Sequence, residues 1–554
     1  MIVPPGPGMW DLDRSHYPGG TTPISQWLMQ GCPSGMRRAF AEFGMPAETL
    51  DVRFAQGFMY TRLRPLIRPD QPATKLPPAP LLKLAVRLHP GMRHRAKQAT
   101  RTLEERPWRR IVAEWESEIR PRLQRDNAAL RAVDETGLDD AELARHLARL
   151  LAYCRETFEL HFYLHAADLG PTGMLLHDCE RWGISASEVI PALAGASPST
   201  AAPQVALAEL RRLVGASGRQ PTSLEEVRAI SPEAARLVDE YLLRRGRLMV
   251  TRYDLDGHTL DEEPEVVLAT ILNGDDPAAV SAHAEAVARA LRERVPAAEQ
   301  ARFDERLAEA RGAMDLRDDN GPNTVEFPVG LLRHSLLEAG RRLTARGRLR
   351  TPDHVFELGP DEVGPLLRDG AGPTAEELAA RAQRRRESAM LVPPARLGPD
   401  EPAPPIEVLA PAHRLLVGAV RAVLVHMGMA KEEGGPATSP ATARSPSRLA
   451  GCGVGTVSYR GTARVALDPE AALQAMEPGD VLVTRFTTPA FNTVLALAGA
   501  VVTAEGALLC HAAVMAREFG IPAVVGAASA LTEIPDGAEI EVDPVAGTVR
   551  LVPG

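Results

Sequence analysis

The chain has 554 residues, 45% hydrophobic and 24% charged, with a formal net charge of −9 and a pI near 5.9. A chain of this length exceeds one ordinary hydrophobic core, so two to four domains are expected. The acidic balance excludes a general attraction to nucleic acid or anionic lipid, and neither nucleic acid nor membrane is expected as a partner.

The opening MIVPPGPGMWDLDRSHY has no basic leader and no apolar run of signal-peptide type, so the expected compartment is the cytoplasm. Its proline, glycine and aromatic residues predict an extended segment across a domain surface, anchored by Trp10 and Tyr17. Five cysteines, Cys32, Cys154, Cys179, Cys452 and Cys510, are scattered without C-x-x-C spacing. That spacing argues against both a disulfide framework and a zinc site.

From about residue 34 to 430 helical periodicity dominates, with long stretches at 139–168, 277–311 and 329–346 broken by proline- and glycine-rich turns. The pattern predicts a large, mainly α domain over residues 1–430, as one body or as two lobes meeting near 217–222. Residues 247–268 read as a mostly non-helical crossing. The run Arg384, Arg385, Arg386 reads as a solvated helix face.

Within the helical region, LHFYLHAADLG places His161, His165 and Asp168 at i, i+4 and i+7, on one helical face. Two histidines and a carboxylate in that register can move a proton or present ligands to a divalent ion. The neighbours Phe158, Leu160, Phe162 and Leu164 fit a core helix with structural histidines equally well. Acid/base work ranks ahead of metal binding because the H-E-x-x-H signature is absent, and no metal site is expected. His16, beside Trp10 and Asp13, is a weaker candidate of the same kind.

Residues 431–448, KEEGGPATSPATARSPSR, read as a flexible linker. Beyond it the pattern changes to short strands at 454–459, 481–483, 501–503, 523–525 and 539–542, which predicts a compact α/β domain over 449–554. Its central stretch is TAEGALLCHAAVMAREFGIPAVVG. An apolar strand leads through a loop containing Gly506 and Ala507 to a helix opening at His511. Gly520 supplies a left-handed stop and Pro522 blocks continuation, so the helix is predicted over 511–519. His511 therefore stands where free backbone N–H groups and the helix dipole stabilise an anion, and an imidazole nitrogen there can carry a phosphoryl group covalently.

At these residues the chain resembles the mobile phosphohistidine domain of the phosphoenolpyruvate-utilising enzymes. GCGVGTVSYRGTARV, GDVLVTRFTTPAF, the His511 segment and DGAEIEVDPVAGTVRL match in order, from Ala450 to the C-terminus. Two departures stand out: Ala507 replaces a second glycine that many relatives have, and Ala504 stands where an acidic residue is frequent. The 1–430 region is similar to the central domain of rifampicin phosphotransferases, and the order of parts resembles such an enzyme without its ATP-grasp domain. It also resembles the histidine-bearing subunit of phenylphosphate synthase.

The resemblance implies a multidomain chain, a large mainly α acceptor-binding domain followed by a small α/β swivelling phosphohistidine domain. It implies a phosphotransferase in which His511 takes a phosphoryl group from ATP, with Mg²⁺ and nucleotide held by a separate ATP-grasp partner, since no P-loop, kinase or G-x-G-x-x-G signature is present. The acceptor would be a small hydroxylated molecule. For the clamp on the phosphate, Arg317 in RDDNG resembles the arginine of a family stretch, although Gly321 occupies a lysine position and a structural ion pair with Asp318 fits as well. For the base, His165 and His161 are the candidates. The alternatives are a non-enzymatic phosphocarrier or regulatory protein, and a degenerate relative that no longer phosphorylates.

Overall fold

The computed structural model describes residues 2–13, 16–17, 19–272, 278–429, 448–488 and 491–552. It is a large, mainly helical body with a small α/β sheet region at the C-terminal end. The chain divides into two compact units, each discontinuous in sequence. The first comprises Met1–Asp168, Arg247–His258 and Asn320–Val417; the second comprises Leu169–Gly246, Thr259–Asp319 and Gly418–Gly554. The 217–222 turn lies inside the second unit. Of the linker expected at 431–448, all but Arg448 falls outside the described residues, and Arg448 opens a strand. Among the described residues no helix is long and apolar enough to cross a membrane.

In the first unit, four strands form an antiparallel sheet, the first of them in the segment expected to be extended and the other three within the stretch read as helical. They are β1 (Trp10–Asp13), β2 (Ala47–Ala55), β3 (Phe58–Pro65) and β4 (Arg396–Leu397), in the order β2-β3-β1-β4. The local signal was present: β2 and β3 are joined by Gln56-Gly57, both at positive φ, the two-residue turn that matches strand twist. Trp10 is anchored in this sheet, 1% exposed, with its indole N–H donating to Gly6 O at 3.1 Å. Tyr17 is buried in the main helical core with Ile24, Leu147, Phe158 and Leu332.

The helix Asp140–Arg181 runs 42 residues straight through Pro171, a residue that ordinarily ends a helix. Tight packing holds the far segment: a Cβ on Gly173 would sit 2.2 Å from Ala419 O, so only glycine permits this approach. The 277–311 stretch, by contrast, is two described helices, Ala278–Arg294 and Gln300–Gly321, parted at Pro296. Residues 247–258 are non-helical as expected, but a helix, Pro264–Leu272, follows at once. Of the three arginines, Arg384 and Arg386 are exposed, whereas Arg385 pairs with Asp256 and Glu357.

The α/β region of the second unit contains β5 (Arg448–Ala450), β6 (Cys452–Val454), β7 (Tyr459–Val465), β8 (Val481–Thr484), β9 (Ala500–Thr503), β10 (Ala523–Val525), β11 (Glu539–Asp543) and β12 (Thr548–Leu551). Their order is β5-β12-β11-β7-β8-β9-β10-β6, with β7, β8, β9 and β10 parallel. The strand expected at 454–459 is instead the turn between β6 and β7, because Gly455 takes φ +109. The central strands β8, β9 and β10 are buried along their whole length, which is why they read as continuous apolar runs. Gly453 on β6 lies so close to Pro544 that an added Cβ would be 1.8 Å from its carbonyl oxygen. Gly453→Ala is expected to destabilise the protein by about 2 kcal/mol, lowering its melting temperature by roughly 2 °C in a calorimetric scan.

Candidate functional site

The site is built at the carboxyl ends of two parallel strands, where open α/β sheets present their crevice. After β9 the chain turns through Gly506 and Ala507 into the helix His511–Glu518, then returns as β10. Gly506 needs to be glycine: its φ is +119, and a Cβ would lie 2.8 Å from Cys510 Sγ. Ala507 has no positive φ, and its carbonyl accepts from Cys510 N–H at 2.9 Å, so a second glycine is not required. The helix ends as its residues predict, with Gly520 at φ +67 and Ile521 N–H donating to Ala516 O at 3.0 Å. The apolar face Ala512, Ala513, Met515 and Ala516 packs into the core with Leu482, Val501 and Val525.

His511 is the first helical residue, with Cys510 as N-cap. Its Nδ1 is 2.8 Å from the Thr487 hydroxyl, carried by the loop after β8. Its Nε2 has no hydrogen-bond partner among the described residues. When Nδ1–H donates to Thr487 Oγ1, the lone pair lies on Nε2, and that tautomer leaves Nε2 able to act as a nucleophile. Thr487 is a residue that sequence reasoning passed over, although it sits in the quoted TTPAF block.

Burial, reinforced by the nearby Arg317 charge, lowers the His511 pKa to about 3. The ring is therefore neutral at physiological pH. The linkage sign follows: the unfolded histidine takes a proton near its ordinary 6.5, whereas the folded one does so only near 3. Stability contributed by the neutral ring is present above 6.5 and is lost as pH falls through that window. Thermal melts of His511→Ala are accordingly expected to show a weaker fall in stability between pH 6.5 and 3 than the wild type.

Arg317 comes from the helix Gln300–Gly321, far away in sequence, and its Nη2 donates to Leu509 O at 3.1 Å. Leu509 N–H donates to His426 O, and the Leu509 side chain is buried with Leu175, Ile190, Met314 and Val423. The Glu518 carboxylate at the other end of the His511 helix accepts from Gly195 N–H at 3.0 Å. A small cavity beside this helix is lined by Ser197, Met314, Arg317, Asp318, Arg517 and Glu518, among others. Burial pushes the Asp318 carboxyl up, opposed by Arg317, and also raises Glu518. Burial likewise brings Arg517 down to about 10. Asp318 accepts from Thr200 Oγ1 at 3.0 Å, so it is held within its own hydrogen-bond network.

His161 and His165 belong to the first unit. They form one chain of contacts: His165 Nδ1 to Asp168 Oδ2 at 2.8 Å, His165 Nε2 to His161 Nε2 at 3.2 Å, and His161 Nδ1 to Thr324 Oγ1 at 3.1 Å. Thr324 lies in a π turn, Pro322–Glu326, that widens the backbone directly after the Arg317 helix. Its hydroxyl donates to Asn320 O. His161 Nδ1–H then donates to Thr324, and His161 Nε2 accepts from His165 Nε2–H. Burial, followed by the His165 charge, takes the His161 pKa well below its usual value. Asp168 is buried, and its Oδ1 has no partner among the described residues. Such a relay can pass a proton between a carboxylate and a hydroxyl. His16 pairs with Asp13 at 2.9 Å and lies 6.0 Å from the Tyr253 ring.

Residues 476–547, which include Thr487 and His511, match the family described as PEP-utilising enzyme, mobile domain. The chain is 34% identical over 224 residues to an uncharacterized protein of Mycobacterium tuberculosis, covering 40% of this chain and 22% of that protein. It is 41% identical over 104 residues to a rifampicin phosphotransferase of Streptomyces sviceus, covering 19% and 12%. It is also 47% identical over 89 residues to a phosphoenolpyruvate synthase of Aeropyrum pernix, covering 16% and 11%. The matches thus span 22% or less of the length of each of these relatives.

Proposed function

We propose that this chain, which carries the mobile domain of the phosphoenolpyruvate-utilising enzymes, is a phosphotransferase component that works through phospho-His511. The observation that supports this reading most is the neutral His511 at a helix N-terminus, its Nδ1 held by Thr487 and its Nε2 unpaired. Nε2 attacks the β-phosphorus of ATP: the N–P bond forms as the phosphorus–oxygen bond to AMP breaks, and hydrolysis of the terminal group releases phosphate. First-turn N–H groups and the Arg317 guanidinium stabilise the charge carried on the ring.

In the second half-reaction a hydroxyl oxygen of a small acceptor bound in the helical domain attacks the phosphorus. The N–P bond breaks, Nε2 recovers its electron pair, and the hydroxyl proton passes to a base. His161 and His165, joined to Asp168 in one relay, are the proposed route for that proton, and Arg317 the proposed clamp. Nucleotide and Mg²⁺ would be held by a separate ATP-grasp partner, where the ion would offset phosphate charge. Among the described residues no cluster of three or more His, Cys, Asp and Glu side chains is arranged to hold a metal ion. Residues 431–448 serve in this reading as the tether about which the 449–554 domain moves.

The test is phosphoryl incorporation from β-labelled ATP into the purified chain, with and without an extract of the source cells. Acid-labile label that requires the extract supports the carrier and its partner together. Label without extract places a nucleotide site in the chain itself and overturns the partner. Absence of label under every condition favours the regulatory or degenerate alternatives.

A further inference from the structure

Net charge describes a whole chain, and here it conceals a local reversal. Between Asp70 and Glu104 there is no acidic residue, while seven lysines and arginines occur: Lys75, Lys83, Arg87, Arg93, Arg95, Lys97 and Arg101. Only Arg95 is buried, and the other six are exposed. None of those six has an ion-pair partner among the described residues. Elsewhere the protein's arginines are extensively paired, as in Arg302 and Arg306 with Asp178 or Arg342 with Glu338 and Asp140.

The same segment exposes apolar surface. The helix Ala79–Leu88 has no buried residue. Leu82 and Val86 are half-buried, and the helix packs on Pro90–Glu105 and Ile406–Val408. Leu81, Leu84 and Leu88, at i, i+3 and i+7, are 58%, 53% and 64% exposed and form a stripe along its outer side. Lys83 and Arg87 flank that stripe on the same ten-residue helix. A row of leucines bordered by long unpaired cations is the pattern of a helix lying in a membrane interface, its apolar side among acyl chains and its cations among headgroups.

We propose that the Ala79–Leu88 helix, with the basic side chains of the following helix Pro90–Glu105, docks this protein on an anionic lipid surface. Three observations favour lipid over an acidic protein. The helix is a ridge with no buried residue rather than a groove, so it demands no shaped counterpart. Its cations are unpinned, which suits a diffuse negative field better than a fixed array of carboxylates. Its leucines stand beside the charges, matching a surface with an apolar layer beneath an anionic one. A second copy of the chain would set these cations against each other. The inference stands independently of the phosphoryl chemistry at His511.

The experiment is sedimentation of the full chain with phosphatidylcholine vesicles, with and without about 30% phosphatidylserine. Binding is expected to the anionic vesicles only and to weaken as salt is raised. Lys83→Glu combined with Arg87→Glu is expected to weaken it at least about tenfold, and Leu81→Ser with Leu84→Ser and Leu88→Ser to weaken it comparably. These positions are exposed, and unchanged melting of the variants verifies that folding is intact. Absence of binding, or equal binding to both vesicle types, overturns the proposal. So does tight binding to polyglutamate that the leucine substitutions weaken equally, which assigns the face to an acidic protein, or a leucine-dependent dimer in the absence of lipid.

Discussion

Replacing His511 by alanine is expected to abolish acid-labile phosphoryl incorporation altogether, because this side chain combines three properties. The ring is neutral at physiological pH, since burial and Arg317 bring its pKa to about 3. Its Nδ1 is engaged by Thr487, and with the proton on Nδ1 the lone pair lies on Nε2. It stands at the start of the helix His511–Glu518, where a phosphoryl group meets the unsatisfied N–H groups of the first turn. Alanine is a good helix former, and the neighbours Ala512, Ala513 and Met515 keep the helix seated, so the fold should persist. The check is retention of label after alkaline treatment and its loss in acid for the wild type, against background counts for the variant. Label of the same acid-labile type on His511→Ala would remove this histidine from the chemistry.

Arg317→Ala is expected to have the next largest effect, slowing phosphoryl transfer from His511 by about 10²- to 10³-fold, the usual cost of removing a preorganised group that stabilises developing charge. Arg317 also donates to Leu509 O, so its removal breaks a structural bond as well. Two measurements separate the roles. Arg317→Lys keeps the charge without the planar fork and should recover part of the rate. In addition, Arg317 is one of the two causes that lower the His511 pKa, so its removal should move the ring's titration upward from about 3, read by the imidazole resonances in NMR. A variant that loses the Leu509 bond but keeps both rate and titration would leave Arg317 a structural residue.

Much of the carrier region was legible because its signals are local. Gly520 and Pro522 ended the His511 helix where the structure ends it, and the fully buried parallel strands β8, β9 and β10 read as apolar runs at their observed positions. The 454–459 segment misled because valine and tyrosine favour strands, whereas Gly455 at positive φ makes the turn. In the helical region, the β2–β3 hairpin carried its own two-residue turn at Gln56-Gly57 but was outweighed by the helical pattern around it. The stretch read at 139–168 continues through Pro171 to Arg181, because local rules do not see the packing at Gly173.

The sequence by itself thus determined the candidate histidine, the helix that presents it and the small sheet behind it, since each depends on residues within a few positions of one another. Only the tertiary structure decided what surrounds that histidine. Thr487 reaches Nδ1 from the loop after a different strand, and Arg317 reaches Leu509 from a helix 192 positions away. The lowered His511 pKa follows from burial, which no local pattern encodes. The division into two discontinuous units has the same origin: β1 pairs with both β3 and β4, whose residues come from opposite ends of the helical region. Hydrogen bonds, burial and charge act over distance in space, and the chain sets those distances only when it folds.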